Sequence, residues 1–369
     1  MRPTWADIDL DAIGHNIQQI DRLVGEATVC AVVKADGYGH GALATARAAI
    51  DAGATWVAVA TVEEGKALRT SGLTVPILLL SEPAPNEMIE VVAADLTPSV
   101  YSGEGLAAAE AAASHRGVIL NVHVKINTGM NRVGADPSDT VLLVQAIVDK
   151  PSLHLQGLWT HCAVADEIDD PFTNVQLDVF DHTVAAVRAA GHEVPMVHAA
   201  NSAAALAFPR SRYDMVRVGI ATYGVPPSED LAGVVSLQPA MTIRSAVSMV
   251  KKIEAGARVS YGLRWEASET TTIATVPIGY ADGIRRRTSA AGGVVLVGGR
   301  RCPMVGTVTM DQLMVDCGPD ATVKAGDEVI LLGVQGDDAI TANEIAGWLD
   351  TIGYEVVCDV ESRVPRRYR

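Results

Sequence analysis

A chain of 369 residues, 49% apolar and 20% charged, is long enough for two domains and too apolar for bulk disorder. Its 44 acidic against 29 basic residues leave a formal charge of −15, a field that disfavours nucleic acid and anionic membrane surfaces as partners. No apolar run reaches the roughly 18 residues needed to cross a bilayer, and Asp7, Asp9 and Asp11 stand where a signal peptide needs an apolar core, so the chain reads as cytoplasmic.

In chain order, eight short β-branched or apolar runs are predicted strands: 29–34, 56–61, 76–81, 96–100, 120–127, 155–161, 196–201 and 214–220. Between them, stretches with helical spacing predict helices over 42–52, 62–71, 86–94, 105–114, 140–148, 176–190 and 203–208. Eight strands alternating with helices match a (β/α)8 TIM barrel better than an open doubly wound sheet. After about residue 237 the texture changes to glycine- and proline-punctuated strands, among them 242–251, 271–277, 293–297, 314–317 and 327–332, with one helix over 342–348. The predicted fold is therefore an α/β barrel over 11–236 followed by a mainly β domain over 237–369. Five cysteines (Cys30, Cys162, Cys302, Cys317 and Cys358) are odd in number and widely spaced with no CxxC pair, which predicts buried reduced thiols and no metal site.

In such barrels chemistry collects where strands end. Strand one ends in Lys34, one of only seven lysines, followed by Ala35-Asp36-Gly37-Tyr38-Gly39-His40-Gly41. Strand five carries Lys125, then Asn127 and the loop with Arg132; strand six ends in His161, strand seven in Asn201 and Ser202, and strand eight in Arg217, Gly219 and Ile220. A lysine closing an apolar strand is partly desolvated, which frees its amine for Schiff-base chemistry, although a lone lysine there is more often a snorkelling or ion-paired one. Ser202, Gly219 and Ile220 supply a hydroxyl and N–H groups where barrels commonly hold a phosphate. Lysine, phosphate loops, histidine and two arginines on one face together point to pyridoxal phosphate.

The run from Ala31 to Gly41 closely resembles the cofactor-lysine motif of bacterial alanine racemases. The resemblance extends over the whole chain, through Arg2–Leu10, Thr128–Gly134, His198–Ser202, Val259–Gly262, Pro277–Gly283, Met310–Gln312 and Arg363–Arg366. It implies that Lys34 carries pyridoxal phosphate as an aldimine, and that Tyr38, Asn201, Ser202, Gly219, Ile220 and Tyr354 belong to the cofactor site, most of them around the phosphate. Arg217 would face the pyridine nitrogen, and His161 would lie against the ring. Arg132 would reach the substrate carboxylate, and Lys125 matches the lysine often carbamylated in this family. It also implies a homodimer in which the β domain, with the opening strand near 2–10, lends Tyr261 and Met310 to the partner's site. Tyr280 would line the entrance and Asp311 would sit beside Met310. The implied reaction is interconversion of L- and D-alanine, with Lys34 and Tyr261 as the two bases, supplying D-alanine for peptidoglycan. Racemisation of another small amino acid such as serine stays open, as does a non-catalytic pyridoxal phosphate homeostasis protein, although a mere carrier would need no second base in a β domain.

Overall fold

The computed structural model describes residues 2–369. The fold is a (β/α)8 barrel followed by a C-terminal β domain, and the chain divides into two compact units. One comprises Ile13–Gly37 and Ala42–Gln238; the other gathers the N-terminal residues up to Ala12, Tyr38–Gly41 and Pro239–Arg369.

After strand β1 (Trp5–Ile8), the barrel strands are β2 (Thr28–Val32), β3 (Trp56–Val59), β4 (Ile77–Leu79), β5 (Ser99–Val100), β6 (Leu120–Lys125), β7 (Leu153–Trp159), β8 (Met196–His198) and β9 (Met215–Val218). All neighbouring pairs are parallel, in two runs, β4-β3-β2-β9 and β5-β6-β7-β8. Backbone bonds close both seams: Leu79 N–H donates to Thr97 O at 2.8 Å, and Arg217 N–H donates to Ala200 O at 3.0 Å. The strands are almost continuously buried, which is why they read as unbroken apolar runs rather than alternating ones.

Most strands end two or more residues before the sequence-based boundary. The ladder stops at Val32, Trp159, His198 and Val218, so Lys34, His161, Asn201 and Gly219 lie on the loops that follow. The helix Leu10–Val24 was not among the predicted elements. Its signals are nonetheless local: the Asp9 carboxylate accepts from Ala12 N–H at 2.9 Å, and Ile13, Ile17, Ile20 and Val24 are buried at helical spacing.

The second unit is built on β10 (Met241–Ala246), β11 (Met249–Ile253), β12 (Arg258–Val259), β13 (Trp265–Glu266), β14 (Thr271–Val276), β15 (Val294–Val297), β16 (Arg300–Val305), β17 (Leu313–Asp316), β18 (Glu328–Gln335), β19 (Asp338–Ile340) and β20 (Arg366–Tyr368). Its main sheet runs β11-β14-β17-β16-β15-β18-β10-β1-β20. The predicted strand 242–251 is two strands, because the chain changes partner in the middle. Val247 N–H donates to Asp327 O beside β18, whereas Ser248 N–H donates to Thr275 O on β14. Leu296, Ile330 and Ile340 centre a core completed by Val294, Ile345 and Trp348. A second short helix, Gly353–Cys358, was also not predicted.

Candidate active site

The turn from Lys34 to Tyr38 is wound left-handed, with φ of 52° at Ala35, 50° at Asp36, 62° at Gly37 and 51° at Tyr38. Only glycine adopts this conformation freely, and other residues pay roughly 1–2 kcal/mol each. Polar contacts offset the strain. Gly37 N–H donates to Val33 O at 2.9 Å, and the Asp36 carboxylate accepts from Ala42 N–H at 2.9 Å. Glu64 accepts from Ala35 N–H at 2.7 Å through one oxygen and from Ala60 N–H at 2.8 Å through the other. It therefore ties the residue after Lys34 to the start of helix Val62–Thr70, which Thr61 and Glu64 cap reciprocally. Sequence reasoning passed over Glu64, although the Thr-x-x-Glu spacing ahead of a helix was its signal.

The barrel interior holds a chain of buried polar rings under these loops. Arg217, 2% exposed, donates from Nη1 to His198 Nδ1 at 2.9 Å and from Nη2 to Thr160 O at 2.8 Å, Ala199 O at 3.1 Å and His161 Nδ1 at 3.2 Å. A guanidinium can only donate, so both imidazoles must accept through Nδ1 and carry their proton on Nε2. His198 then donates from Nε2 to His123 Nδ1 at 2.9 Å, which leaves the His123 Nε2–H for Gln156 Oε1 at 3.3 Å. One guanidinium thus sets three tautomers. Burial and the Arg217 charge hold His161 and His198 well below the usual histidine range, and burial above all pushes His123 down to about 4. Burial lowers Arg217 itself only to about 10, so it stays cationic at neutral pH.

This arrangement has a consequence for acid stability. His123 is neutral in the fold at pH values where an unfolded histidine, near 6.5, takes up a proton. Stability is therefore complete above about pH 6.5 and is lost as pH falls toward 4, by about 3 kcal/mol for this group. Unfolding midpoints should fall across that window. His123→Asn, which can still accept from His198 but cannot titrate, is expected to flatten the dependence. An equally steep profile in that variant would place the acid sensitivity elsewhere.

Trp159 anchors two of the cations. Lys125 Nζ lies 4.3 Å from its ring centroid and the Arg217 guanidinium carbon 4.5 Å, while His198 stacks on it with an interplanar angle of 5°. Burial lowers the Lys125 amine to about 7, assisted by Arg217, Arg132 and Lys34. The charges acting on His161 are those of Arg217, Lys125, Arg132 and Lys34. The charged neighbours that act on Lys125 are all cations. Lys34, Lys125 and Arg217 at the strand ends, with Arg132 on the loop that follows β6, call for an anion, and the amines among them call for a carbonyl; phosphate, aldehyde and carboxylate meet both demands. Ser202 Oγ accepts from Gly219 N–H at 2.9 Å and Ala221 N–H at 3.4 Å, which draws the two loops assigned to the phosphate together. The residues present fit pyridoxal phosphate.

Gln176, fully buried on helix Phe172–Ala189, was also missed. Its Oε1 accepts from Ala163 N–H at 2.8 Å, and its Nε2 donates to His161 O at 3.1 Å and Thr128 Oγ1 at 3.2 Å. It therefore joins the His161 loop to the loop carrying Arg132. That second loop is pinned at its base by Asn127 N–H to Ala135 O and Ala135 N–H to Lys125 O, and Arg132 stands exposed at its tip. Asn201 caps helix Ser202–Ala207 through Ala204 N–H.

In the second unit, Tyr38 and Tyr354 meet with ring centroids 6.3 Å apart. A separate group presents Tyr261, 73% exposed, with exposed Met310 and Tyr280. Thr307 Oγ1 donates to Tyr261 O at 2.8 Å, Ala281 N–H donates to Met310 O at 3.1 Å, and Asp311 accepts from Arg363 at 2.7 Å. One loop, between β16 and β17, therefore ties together the main chain at Tyr261, Tyr280 and Met310. The three arginines Arg285–Arg287 form an exposed loop in which Arg285 pairs with Asp359 and Glu355.

Residues 8–227 match the family described as alanine racemase, N-terminal domain, and residues 240–368 match alanine racemase, C-terminal domain. The chain is 45% identical to alanine racemase of Symbiobacterium thermophilum over 368 residues, covering 100% of this chain and 97% of that protein. It is 42% identical to alanine racemase 1 of Bacillus subtilis, covering 100% and 93% respectively. Among solved structures, alanine racemase from D-cycloserine-producing Streptomyces lavendulae superposes with a TM-score of 0.94 at 38% identity, covering 100% of this chain and 97% of that one. The Bacillus anthracis alanine racemase with bound L-Ala-P gives 0.94 at 35% identity, covering 100% and 95%. The chain belongs to the alanine racemase family.

Proposed function

We propose that this protein interconverts L- and D-alanine as a pyridoxal phosphate-dependent homodimer. The observation that carries the reading is Lys34 just past the end of β2, with Lys125 and Arg217 both packed on the Trp159 ring, in a chain matched by both racemase domains. Pyridoxal phosphate, when bound, supplies the electron sink that makes the α-proton removable. Lys34 would hold it, and Tyr38, Tyr354, Asn201, Ser202, Gly219 and Ile220 would supply its cradle. Arg217, a fixed cation that can only donate, would face the cofactor's ring nitrogen and leave it unprotonated, which would make the ring a weaker sink and favour racemisation over side reactions.

Inversion needs a proton removed on one face and delivered on the other. Lys34 Nζ serves one face, and Tyr261 Oη of the partner chain serves the other. The exposure of Tyr261, Met310 and Tyr280 on one side of the β domain supports their use by a second chain. Arg132 holds the substrate carboxylate. His161, accepting from Arg217 through Nδ1, keeps its Nε2–H to orient the tyrosine. Lys125, with an amine near neutral pKa, is partly unprotonated at pH 7 and able to take up carbon dioxide. The resulting carbamate would place an anion among these cations beside Arg132, and a bicarbonate-dependent gain of one carbon dioxide in mass, lost on acidification, checks it. No helix of the described residues is long and apolar enough to cross a membrane, and a cytoplasmic enzyme supplying D-alanine for peptidoglycan fits the chain. Purified chain with the cofactor should convert L-alanine to racemate, followed by circular dichroism; an unchanged signal with L-alanine but loss with L-serine would redirect the assignment.

A further inference from the structure

The five cysteines look unrelated in sequence, yet two of them face each other. In the β16–β17 ladder Met304 pairs with Val315 and Val305 with Met314. Continuing that antiparallel register sets Cys302 directly opposite Cys317. Met304 N–H donates to Gly293 O on the β15 side, and Cys317 N–H donates to Thr272 O on β14. At these positions both backbones address their outer neighbours, so Cys302 and Cys317 form the closer, non-hydrogen-bonded kind of cross-strand pair. Such pairs place Cα atoms about 4.5 Å apart, inside the roughly 4.4–6.8 Å range that a disulfide spans. Both residues are buried, and their thiols hydrogen-bond to one another.

We propose that Cys302 and Cys317 are a redox-active dithiol that a hydroperoxide converts to a reversible cross-strand disulfide. The bond shared with Cys317 and the positive charge of Arg300 lower the Cys302 thiol, while the same bond and burial raise Cys317. Cys302 is therefore the thiolate that attacks. Its sulfur takes one peroxide oxygen, the O–O bond breaks, and the departing hydroxide is protonated to water. Cys317 sulfur then attacks the Cys302 sulfenic acid; the S–O bond breaks, the S–S bond forms, and a second water leaves with the Cys317 proton. Two thiols are oxidised by two electrons and one peroxide is reduced to two waters. Both thiols are buried, so the peroxide would reach them on local opening of the strand end, where Cys317 lies one residue beyond β17.

The bond would close the base of the hairpin whose loop holds the exposed aromatic group. Thr307 in that loop donates to Tyr261 O and accepts from Ser260 Oγ at 2.6 Å, while Thr309 O and Met310 O accept from Tyr280 and Ala281 N–H. Oxidation should thus restrain the loop and slow heat inactivation. The thiol chemistry does not depend on the proposed catalytic roles; only the inactivation readout does. Holoenzyme treated with one equivalent of hydrogen peroxide, alkylated and digested, should yield the Cys302 and Cys317 peptides joined with loss of two hydrogens. Dithiothreitol should reverse the joining, and Cys302→Ala and Cys317→Ala should each abolish it. The oxidised wild type should lose activity on heating several-fold more slowly than the reduced form. Recovery of both cysteines alkylated, a bond to Cys30, Cys162 or Cys358, or oxygen addition without the cross-link would overturn the assignment. A cross-link that leaves heat inactivation unchanged would overturn its coupling to the Tyr261 loop.

Discussion

Lys34→Ala should abolish nearly all racemisation, a fall of at least on the order of 10³-fold, since it removes both the cofactor's attachment and one of two bases. Burial alone would not single out this lysine. Lys125 is the more deeply buried amine, lowered to about 7 by desolvation and by three neighbouring cations. Placement argues the other way. Lys125 ends β6 with its amine over the Trp159 ring and beside Arg217, enclosed by the barrel interior. Lys34 is half-buried, two residues beyond β2, at the start of the left-handed turn that Glu64 and Asp36 brace. Borohydride reduction of the cofactor-loaded enzyme should therefore attach pyridoxal phosphate to the peptide containing Lys34. Attachment at Lys125 would refute the assignment and make Lys34 a bystander. Glu64→Ala offers a gentler check, expected to weaken cofactor binding while leaving the attachment point unchanged.

Co-expressed Lys34→Ala and Tyr261→Phe chains should recover about a quarter of wild-type activity although each variant alone is nearly inactive. If the site draws Lys34 from one chain and Tyr261 from the other, a two-fold dimer has two equivalent sites. Random pairing makes about half the dimers mixed, and each mixed dimer has one site with both residues and one with neither, so by this symmetry count about a quarter of the sites are intact. Were both residues supplied by one chain, mixing would restore nothing. Tyr261→Phe keeps the ring and its packing and removes only the hydroxyl, so folding should be unaffected. Its loss of activity would then report proton transfer rather than structure. The exposed position of the ring, with its main-chain carbonyl held by Thr307, is consistent with a residue waiting for a second chain.

The sequence by itself carried the barrel, because strands buried on both faces read as apolar runs and the helices between them as spaced alanines and leucines. It also carried Lys34, Lys125, His161 and Arg217 as strand-end residues, since in this fold the C-terminal end of a strand is a functional address. The helix Leu10–Val24 is equally legible, with Asp9 ahead of Ile13, Ile17 and Ile20. Other features needed the tertiary structure. His123, Gln156, His198 and Arg217 lie on different strands, and only closure of the barrel makes them one hydrogen-bonded chain with assigned tautomers. The capping role of Glu64 is local, but its bond to Ala35 N–H, 29 residues away, and the bonds of Gln176 to the loops of Thr128 and His161 are encoded by no local pattern. The facing of Cys302 and Cys317 depends on the register between β16 and β17, and register is set by which partner groups meet across a sheet. Composition and periodicity report what each residue does to its own segment; distances between segments, and the charges and tautomers they impose, exist only once the chain has folded.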